Sequence, residues 1–517
     1  MNILLYLNME TTFYSLAARG LEADLVKVEV DHYKSQPGTV IVGLGDTAVQ
    51  ESRERVRAAI KNSGLYYPRG RVVVNLAPAD VRKSGPCFDL PIALGMISLS
   101  HGLKLDLLQE SIYLGELSLD GDLRPITGVL GLAAAARNQG FKRFFVPLQN
   151  AEEAALIDGI EVYGIRTLHE AVDHLQGALD LEQVRIEDLK SYFDRATPSL
   201  IDFADIRGQA QAKRALEIAA AGGHNILLNG APGSGKTMMA RALQGILPPL
   251  SIEESLEVTQ LYSLSGLLPE NDFLIRERPF RVVHHTASGA AIVGGGQIPK
   301  PGEITLAHRG VLFLDEMAEF PPRVLELLRQ PLEDKRITIS RTQGSLTYPS
   351  QFLLCGAMNP CSCGYYQVPN AKKVCECSPG SIRRYQQKIS GPLLDRIDLY
   401  CTVSPVPYRD FHGTDYLESS TDIRERVLFA RQVQLDRFQG SAIRVNTEMS
   451  AKAIQEFCPL SSVVSTILDK AIDRLHLSAR GYHRVLKVSR TIADLEGRGQ
   501  IGESDVLEAL QYRRAEA

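Results

Sequence analysis

Residues 230–237, Gly-Ala-Pro-Gly-Ser-Gly-Lys-Thr, fit the pattern G-x-x-x-x-G-K-[ST], which few folds can carry. The stretch before it, 225–229 (NILLN), predicts a short buried strand, and 236–246 (KTMMARALQGI) predicts a helix. A strand, a glycine loop and a helix N-terminus in that order turn backbone N–H groups toward phosphate. Gly230, Gly233 and Gly235 allow backbone angles that other residues resist, and Pro232 and Ser234 complete the nucleotide loop. Lys236 is placed to reach the β- and γ-phosphates, and Thr237 to hold Mg²⁺. The competing reading is a glycine-rich turn that binds nothing; both flanks speak against it.

At 517 residues the chain has room for two or three domains. An apolar content of 44% and a charged content of 23% are those of an ordinary globular protein. The net charge of −4 gives no global basic footprint, so any nucleic-acid surface has to be local, such as a lined pore. No run of about 18 apolar residues occurs, so no membrane span is expected. The N-terminal MNILLYLNMETTFYS lacks a basic leader and a small-residue cleavage site and reads as a strand, not a signal peptide. Eight cysteines in so long a chain do not point to a disulfide scaffold, and the expected compartment is the cytoplasm.

Residues 1–175 alternate strand-like stretches (25–31, 39–42, 71–76) with helical ones (45–63, 89–99 and a helix beginning at 131), which predicts an α/β domain. Residues 176–200 lack a sustained core pattern, end in Thr-Pro and read as a linker. Further on, the apolar strand 310–314 ends in Asp315 and Glu316. Asp315 would position Mg²⁺ through water, and Glu316 would polarise the attacking water. The next buried strand, 352–357, leads to Met358-Asn359-Pro360. Glycine and proline at the density of 284–303 exclude a regular element. Adjacent His284 and His285 would point to opposite faces of a strand, which argues against a metal pair. Helical spacing returns over 421–438, 450–456, 461–475, 482–495 and 503–513.

Four of the cysteines form two tight pairs, Cys361-Ser-Cys363 and Cys375-Glu-Cys377. Four thiolates satisfy tetrahedral Zn²⁺, and such a site would be structural because no position stays open. The C-x-C spacing is tighter than the usual C-x₂-C; buried small residues or a redox pair are the other readings.

Taken together, these motifs are similar to those of AAA+ ATPases, and over nearly the whole chain they resemble the ComM/YifB family of magnesium-chelatase-like AAA+ proteins. Lys83-Ser-Gly-Pro-Cys87-Phe-Asp-Leu-Pro91, Gly121 through Leu130 and Val146-Pro147-x-x-Asn150-Ala151 resemble the Lon-protease-like domain at the front of that family. True Lon proteases carry Ser where Cys87 stands and Lys where Leu130 stands, so the resemblance implies a scaffold or DNA-interaction module without a protease dyad. The implied organisation is a Lon-like α+β domain (ribosomal S5 domain 2-like) over 1–175, the linker 176–200, a P-loop α/β core over 201–408 and a helical lid over 409–517. The resemblance also assigns roles: Gln209 near the adenine, Asn359 as a sensor of the γ-phosphate or lytic water, Arg396 as a finger reaching a neighbouring subunit's ATP, and Arg480 as a second sensor. A surface ion pair with Asp395 or Asp398 is the other reading of Arg396. The loop at 284–303 resembles an insert that points into the ring pore, which makes Lys300 a candidate phosphate contact. The basic run Arg480, Arg484, Lys487 and Arg490 is either a nucleotide- or DNA-facing surface or a solvated helix face. The implied function is an ATP- and Mg²⁺-dependent DNA helicase, a hexameric ring that drives branch migration during natural transformation. A chelatase-type ATPase subunit and a protein-remodelling ATPase or protease are the alternatives.

Overall fold

The computed structural model describes residues 12–100, 103, 108–186, 188–193, 201–269, 272–296, 300–341, 344–368, 373–405, 417–475 and 477–513. They divide into two compact units, Met1–Arg195 with Ile252–Ile275, and Ala196–Ser251 with Arg276–Ala517.

The first unit is built on a mixed eight-stranded sheet. Its order is Gln183–Val184, Glu161–Ile165, Arg143–Pro147, Ser111–Tyr113, Thr12–Arg19, Glu22–Tyr33, Arg71–Ala77 and Gly38–Val42. The period-2 pattern is carried into burial: Val72, Val74 and Leu76 are fully buried, while Arg71 is exposed. Helix Thr47–Asn62 starts where the Asp46 carboxylate accepts the Val49 N–H at 3.0 Å, and it buries Val49, Val56, Ala59 and Ile60, the face expected from the sequence. The expected N-terminal strand is present from Thr12; its residues 1–11 lie outside the described residues.

Two stretches differ from the sequence reading. The expected linker contributes an edge strand, Gln183–Val184, and a short helix, Leu189–Phe193, whose Tyr192 stacks on Phe273 at 4.5 Å. Its remaining stretch, 194–200, lies outside the described residues. The segment Ile252–Ile275, read as part of the ATPase core, folds with the first unit. Its helix Ile252–Ser265 packs on Val129–Asn138, and Leu274 is buried with Leu130 and Leu156. Hydrophobic spacing marks a buried face but not which body covers it.

The second unit holds a parallel five-stranded sheet ordered Phe280–Val283, Val311–Leu314, Leu353–Met358, Ile226–Gly230 and Leu399–Val403. Ile226–Gly230 comes first in sequence and pairs on both sides, so the strand order reverses beside it, where open parallel sheets place their ligand crevice. The C-terminal helices Ser420–Arg437, Ala451–Phe457, Ser462–Leu475, Ala479–Leu495 and Glu503–Gln511 share one apolar core with this sheet and with helix Ala210–Gly222. Among the described residues no helix is long and apolar enough to cross a membrane.

The loop 284–303 is not free of regular structure. Ser288 caps a short helix, Gly289–Val293, and Gly294–Gly295 pairs antiparallel with Lys300–Pro301. Glycine density was misleading here, because Gly294 is required by close packing: a Cβ on it would meet the Lys300 carbonyl oxygen at 2.5 Å and Ile339 at 2.7 Å.

Candidate active site

Strand Ile226–Gly230 ends at the glycine loop, and helix Lys236–Ile246 begins directly after it. The glycines serve different purposes. Gly233 and Gly235 have φ of +75° and +88°, which L side chains resist. Gly230 is needed for proximity instead, since a Cβ there would lie 2.3 Å from the Val403 carbonyl oxygen.

Lys236 Nζ donates to the Gly230 and Ala231 carbonyls at 2.8 and 2.9 Å and to Asn359 Oδ1 at 3.2 Å. Burial pulls its pKa below the usual ammonium value, opposed by Asp315 and Glu316. Thr237 Oγ1 donates to Asp315 Oδ2 at 2.9 Å. Lys236, Thr237, Asp315 and Asn359 therefore converge from three adjacent parallel strands and the loop. The buried Ser234 hydroxyl in the same loop has no hydrogen-bond partner. A buried polar group of this kind needs a partner, and a phosphate oxygen supplies one. The residues present fit a Mg²⁺-nucleotide.

Glu316 stands one residue past Asp315 in the left-handed region, φ +51°, with its N–H on Asp315 Oδ1 at 2.9 Å. Its carboxylate lies 3.3 Å from His285 Nδ1. The two histidines do not point apart as expected from a strand. The strand ends at Val283, and the chain turns there, with Ala287 N–H on the His284 carbonyl at 2.9 Å and the rings 4.1 Å apart.

Other residues named from the sequence lie elsewhere. Gln209 Nε2 donates to the Ser404 carbonyl at 2.5 Å. Arg396 pairs with Glu333 and donates to the Pro392 carbonyl at 2.5 Å, so its partner is neither Asp395 nor Asp398. Those two carboxylates are bound to Arg484 and to the Asn225 N–H. Arg480 is exposed in the first turn of its helix. The basic run after it is not a surface of either kind. Arg484 donates to Ile397 O at 3.0 Å, Lys487 to Thr447 O at 2.8 Å, and Arg490 to Asp494 and Gly499 O at 3.1 and 2.9 Å. Helix Ala479–Leu495 is buried along most of its length, so its cations satisfy internal carbonyls and carboxylates. Lys300 is exposed on the small ladder, paired with Gly295.

The sequence reading missed a hairpin, Arg336–Arg341 with Gly344–Pro349. Ile337, Ile339 and Tyr348 are buried, while Thr338–Thr347 and Ser340–Ser345 pair their hydroxyls on the exposed face at 3.1 and 2.9 Å. The alternation Ile337-Thr338-Ile339-Ser340 was its signal.

The four cysteines come together as the spacing implied. Cys361 Sγ lies 3.2 Å from Cys363 and 3.7 Å from Cys375, and Cys363 lies 3.5 Å from Cys375. All four sulfurs lie within 4.8 Å of one another. Zn–S bonds of about 2.3 Å at the tetrahedral angle put sulfurs about 3.8 Å apart, whereas a disulfide requires about 2.0 Å. The cluster is compatible with a metal and is not a disulfide. Hydrogen bonds from Ser362, then from Cys363, hold the Cys377 thiol down at about 7, while Cys375, against a backbone hydrogen bond from Cys377, is pushed up to about 12 by desolvation and the neighbouring Cys363 and Cys361. Gly364, next to Cys363, approaches the nucleotide loop closely: a Cβ on it would meet Pro232 Cδ at 2.5 Å.

In the first unit, burial pushes the Cys87 thiol up to about 12, and Asp89 adds to this. The buried Lys83 gives its ammonium to the Pro78 carbonyl. Leu130, which the resemblance to Lon proteases sets where a base would stand, is enclosed, and its N–H is held by Glu153 at 2.9 Å. Glu153 also accepts from Ser263, on the segment Ile252–Ile275.

The description "Magnesium chelatase, subunit ChlI" matches residues 202–411, "Subunit ChlI of Mg-chelatase" matches 28–150, and "Magnesium chelatase, subunit ChlI C-terminal" matches 417–513. The chain is 42% identical over 504 residues to the competence protein ComM of Haemophilus influenzae, covering 97% of this chain and 96% of that protein. It is 42% identical over 502 residues to the protein YifB of Escherichia coli, again covering 97% and 96%. Lon protease 2 of Bacillus subtilis is 30% identical over 126 residues, 24% of this chain and 22% of that protein.

Proposed function

The chain belongs to the ComM/YifB family of magnesium-chelatase-like AAA+ ATPases, and from that premise we propose that it is an ATP-driven ring motor on DNA. In this reading it is a cytoplasmic hexamer that threads single-stranded or branched DNA and promotes branch migration during recombination of incoming DNA. The observation that carries the motor reading is the convergence of Lys236, Thr237, Asp315 and Asn359 beside Glu316. The DNA assignment draws on the near-full-length similarity to a protein named for competence.

Lys236 and the loop N–H groups would hold the β- and γ-phosphates, and Thr237 and Asp315 would hold Mg²⁺. When bound, that ion neutralises charge on the phosphates. Glu316 accepts the proton of the attacking water, Asn359 orients the γ-phosphate or that water, and Arg480 and a neighbour's Arg396 stabilise the transferred phosphoryl group. Gln209 flanks the base. Lys300 and the hydroxyl face of the hairpin are the candidate backbone contacts to DNA.

The test is ATP turnover with and without single-stranded, double-stranded and branched DNA. Stimulation by DNA, greatest with branched substrates, is the expected result. A rate indifferent to all three would favour a chelatase-type ATPase, the reading closest to the matched family descriptions.

Two further predictions follow from the flanking sites. Zinc is expected at one equivalent per chain on Cys361, Cys363, Cys375 and Cys377, measured by elemental analysis of protein never exposed to chelator. Because Gly364 abuts Pro232, stripping the metal should also lower ATP turnover. A content far below one equivalent would remove the zinc assignment. The first unit is expected to show no peptidase activity, given a raised Cys87 thiol and Leu130 in place of a base. Casein cleavage that disappears in Cys87→Ala would contradict this.

A further inference from the structure

We infer that His284, His285 and Glu316 form a site for a divalent transition metal which, when filled, withdraws Glu316 from ATP hydrolysis. The inference rests on the reading of Glu316 as the group that accepts the water's proton.

The donor set is assembled by local geometry. The turn after Val283 brings the two imidazoles side by side, with centroids 4.1 Å apart and planes 35° apart. One ligand atom from each of His284, His285 and Glu316 falls within a 4.8 Å cluster. His285 Nδ1 and Glu316 Oε2 are 3.3 Å apart. Metal–ligand bonds of about 2.0–2.2 Å at the tetrahedral angle place such a nitrogen and oxygen about 3.4 Å apart. That Nδ1 is buried as an atom, and the 3.3 Å contact lacks hydrogen-bond geometry, so Nδ1 has no hydrogen-bond partner. His284 Nδ1 accepts the Thr286 N–H at 3.4 Å and lies 2.9 Å from the Thr286 hydroxyl. Thr286 thereby anchors the His284 ring beside His285, as an outer partner orients a ligating histidine.

Two imidazoles and one carboxylate select zinc, cobalt, nickel or copper over magnesium, which prefers oxygen ligands. The site differs in kind from Thr237 and Asp315, which are oxygen ligands, and from the cysteine cluster, which is all sulfur. Its occupation would not displace a nucleotide. It would engage the lone pair that otherwise takes the water's proton, leaving ATP bound and unhydrolysed.

Co²⁺ is the probe, added to full-length protein whose cysteines already hold zinc, without nucleotide. One further equivalent is expected to bind, giving visible ligand-field absorption without a sulfur charge-transfer band. The absorption should vanish in His284→Ala/His285→Ala, and Thr286→Val, a milder change, should weaken Co²⁺ binding by roughly 10- to 100-fold. Turnover of Mg·ATP, scaled to each protein's own metal-free rate, should fall as Zn²⁺ fills the site and should lose that sensitivity in His284→Ala. Absence of a second equivalent, or absorption that persists in the double variant, overturns the site. Co²⁺ binding that depends on His284 while turnover stays untouched by Zn²⁺ overturns the control, whereas native-rate turnover by Glu316→Gln would overturn the reading of Glu316 itself.

Discussion

Glu316→Gln is expected to bind ATP nearly as the native protein does and to lose roughly 10²–10⁴ of its turnover, the range for removing a general base. The substitution keeps the size and hydrogen-bonding reach of the side chain and takes away only its proton affinity. The groups that hold the nucleotide are separate. Lys236 is fixed by three acceptors, and Thr237 meets Asp315 at 2.9 Å, with no atom of the Glu316 side chain involved. Lys236→Ala should show the opposite defect, lost affinity, because it removes the cation at the phosphates. Binding of a fluorescent nucleotide and release of phosphate, measured on both variants, separate the two roles. Turnover by Glu316→Gln at the native rate would show that another group takes the water's proton.

The contrast between these variants was legible in the sequence because Lys236 opens the helix after one plainly announced strand and Glu316 follows the end of another. Residues 225–229 and 310–314 are short apolar runs bounded by glycine or by paired carboxylates, and the structure shifts the strands by one residue only. The cysteine cluster was legible for a similar reason, since two tight pairs in a cysteine-poor chain have few arrangements. What stayed hidden depends on contacts distant in sequence. Arg484, Lys487 and Arg490 look like a basic face until helix Ala479–Leu495 is seen to be internal, with its charges spent on Asp395, Thr447 O and Asp494. The pairing of His285 with Glu316 depends on a strand ending one residue before His284, and strand ends are weakly encoded. The segment Ile252–Ile275 could not be assigned to a body because its partners, Leu130 and Glu153, lie more than a hundred residues away.

Arg396→Ala is expected to bind ATP nearly normally and to lose turnover by roughly 10³-fold or more, the range for arginine fingers. The guanidinium is always charged and forks toward paired oxygens, and Arg396 lies three residues before strand Leu399–Val403, on the segment that AAA+ rings place at the subunit boundary. In the single chain its charge rests on Glu333 and its Nε has no hydrogen-bond partner. A finger would have to leave Glu333, which is half-exposed while the Arg396 side chain is only 12% exposed, and exchange that carboxylate for phosphate oxygens. Glu333→Gln should therefore leave turnover intact or raise it, whereas a purely structural Arg396 would make Glu333→Gln as damaging as Arg396→Ala. Mixed rings decide whether the contact is made in trans. Lys236→Ala subunits lack a working site but keep their finger, and Arg396→Ala subunits have the reverse defect. Co-assembled rings should recover part of the activity, because some interfaces pair an intact site with an intact finger. Proven co-assembly without recovery would return Arg396 to the role its present contacts display, a tether between Glu333 on helix Arg329–Asp334 and Pro392 on the short helix Gly391–Leu394.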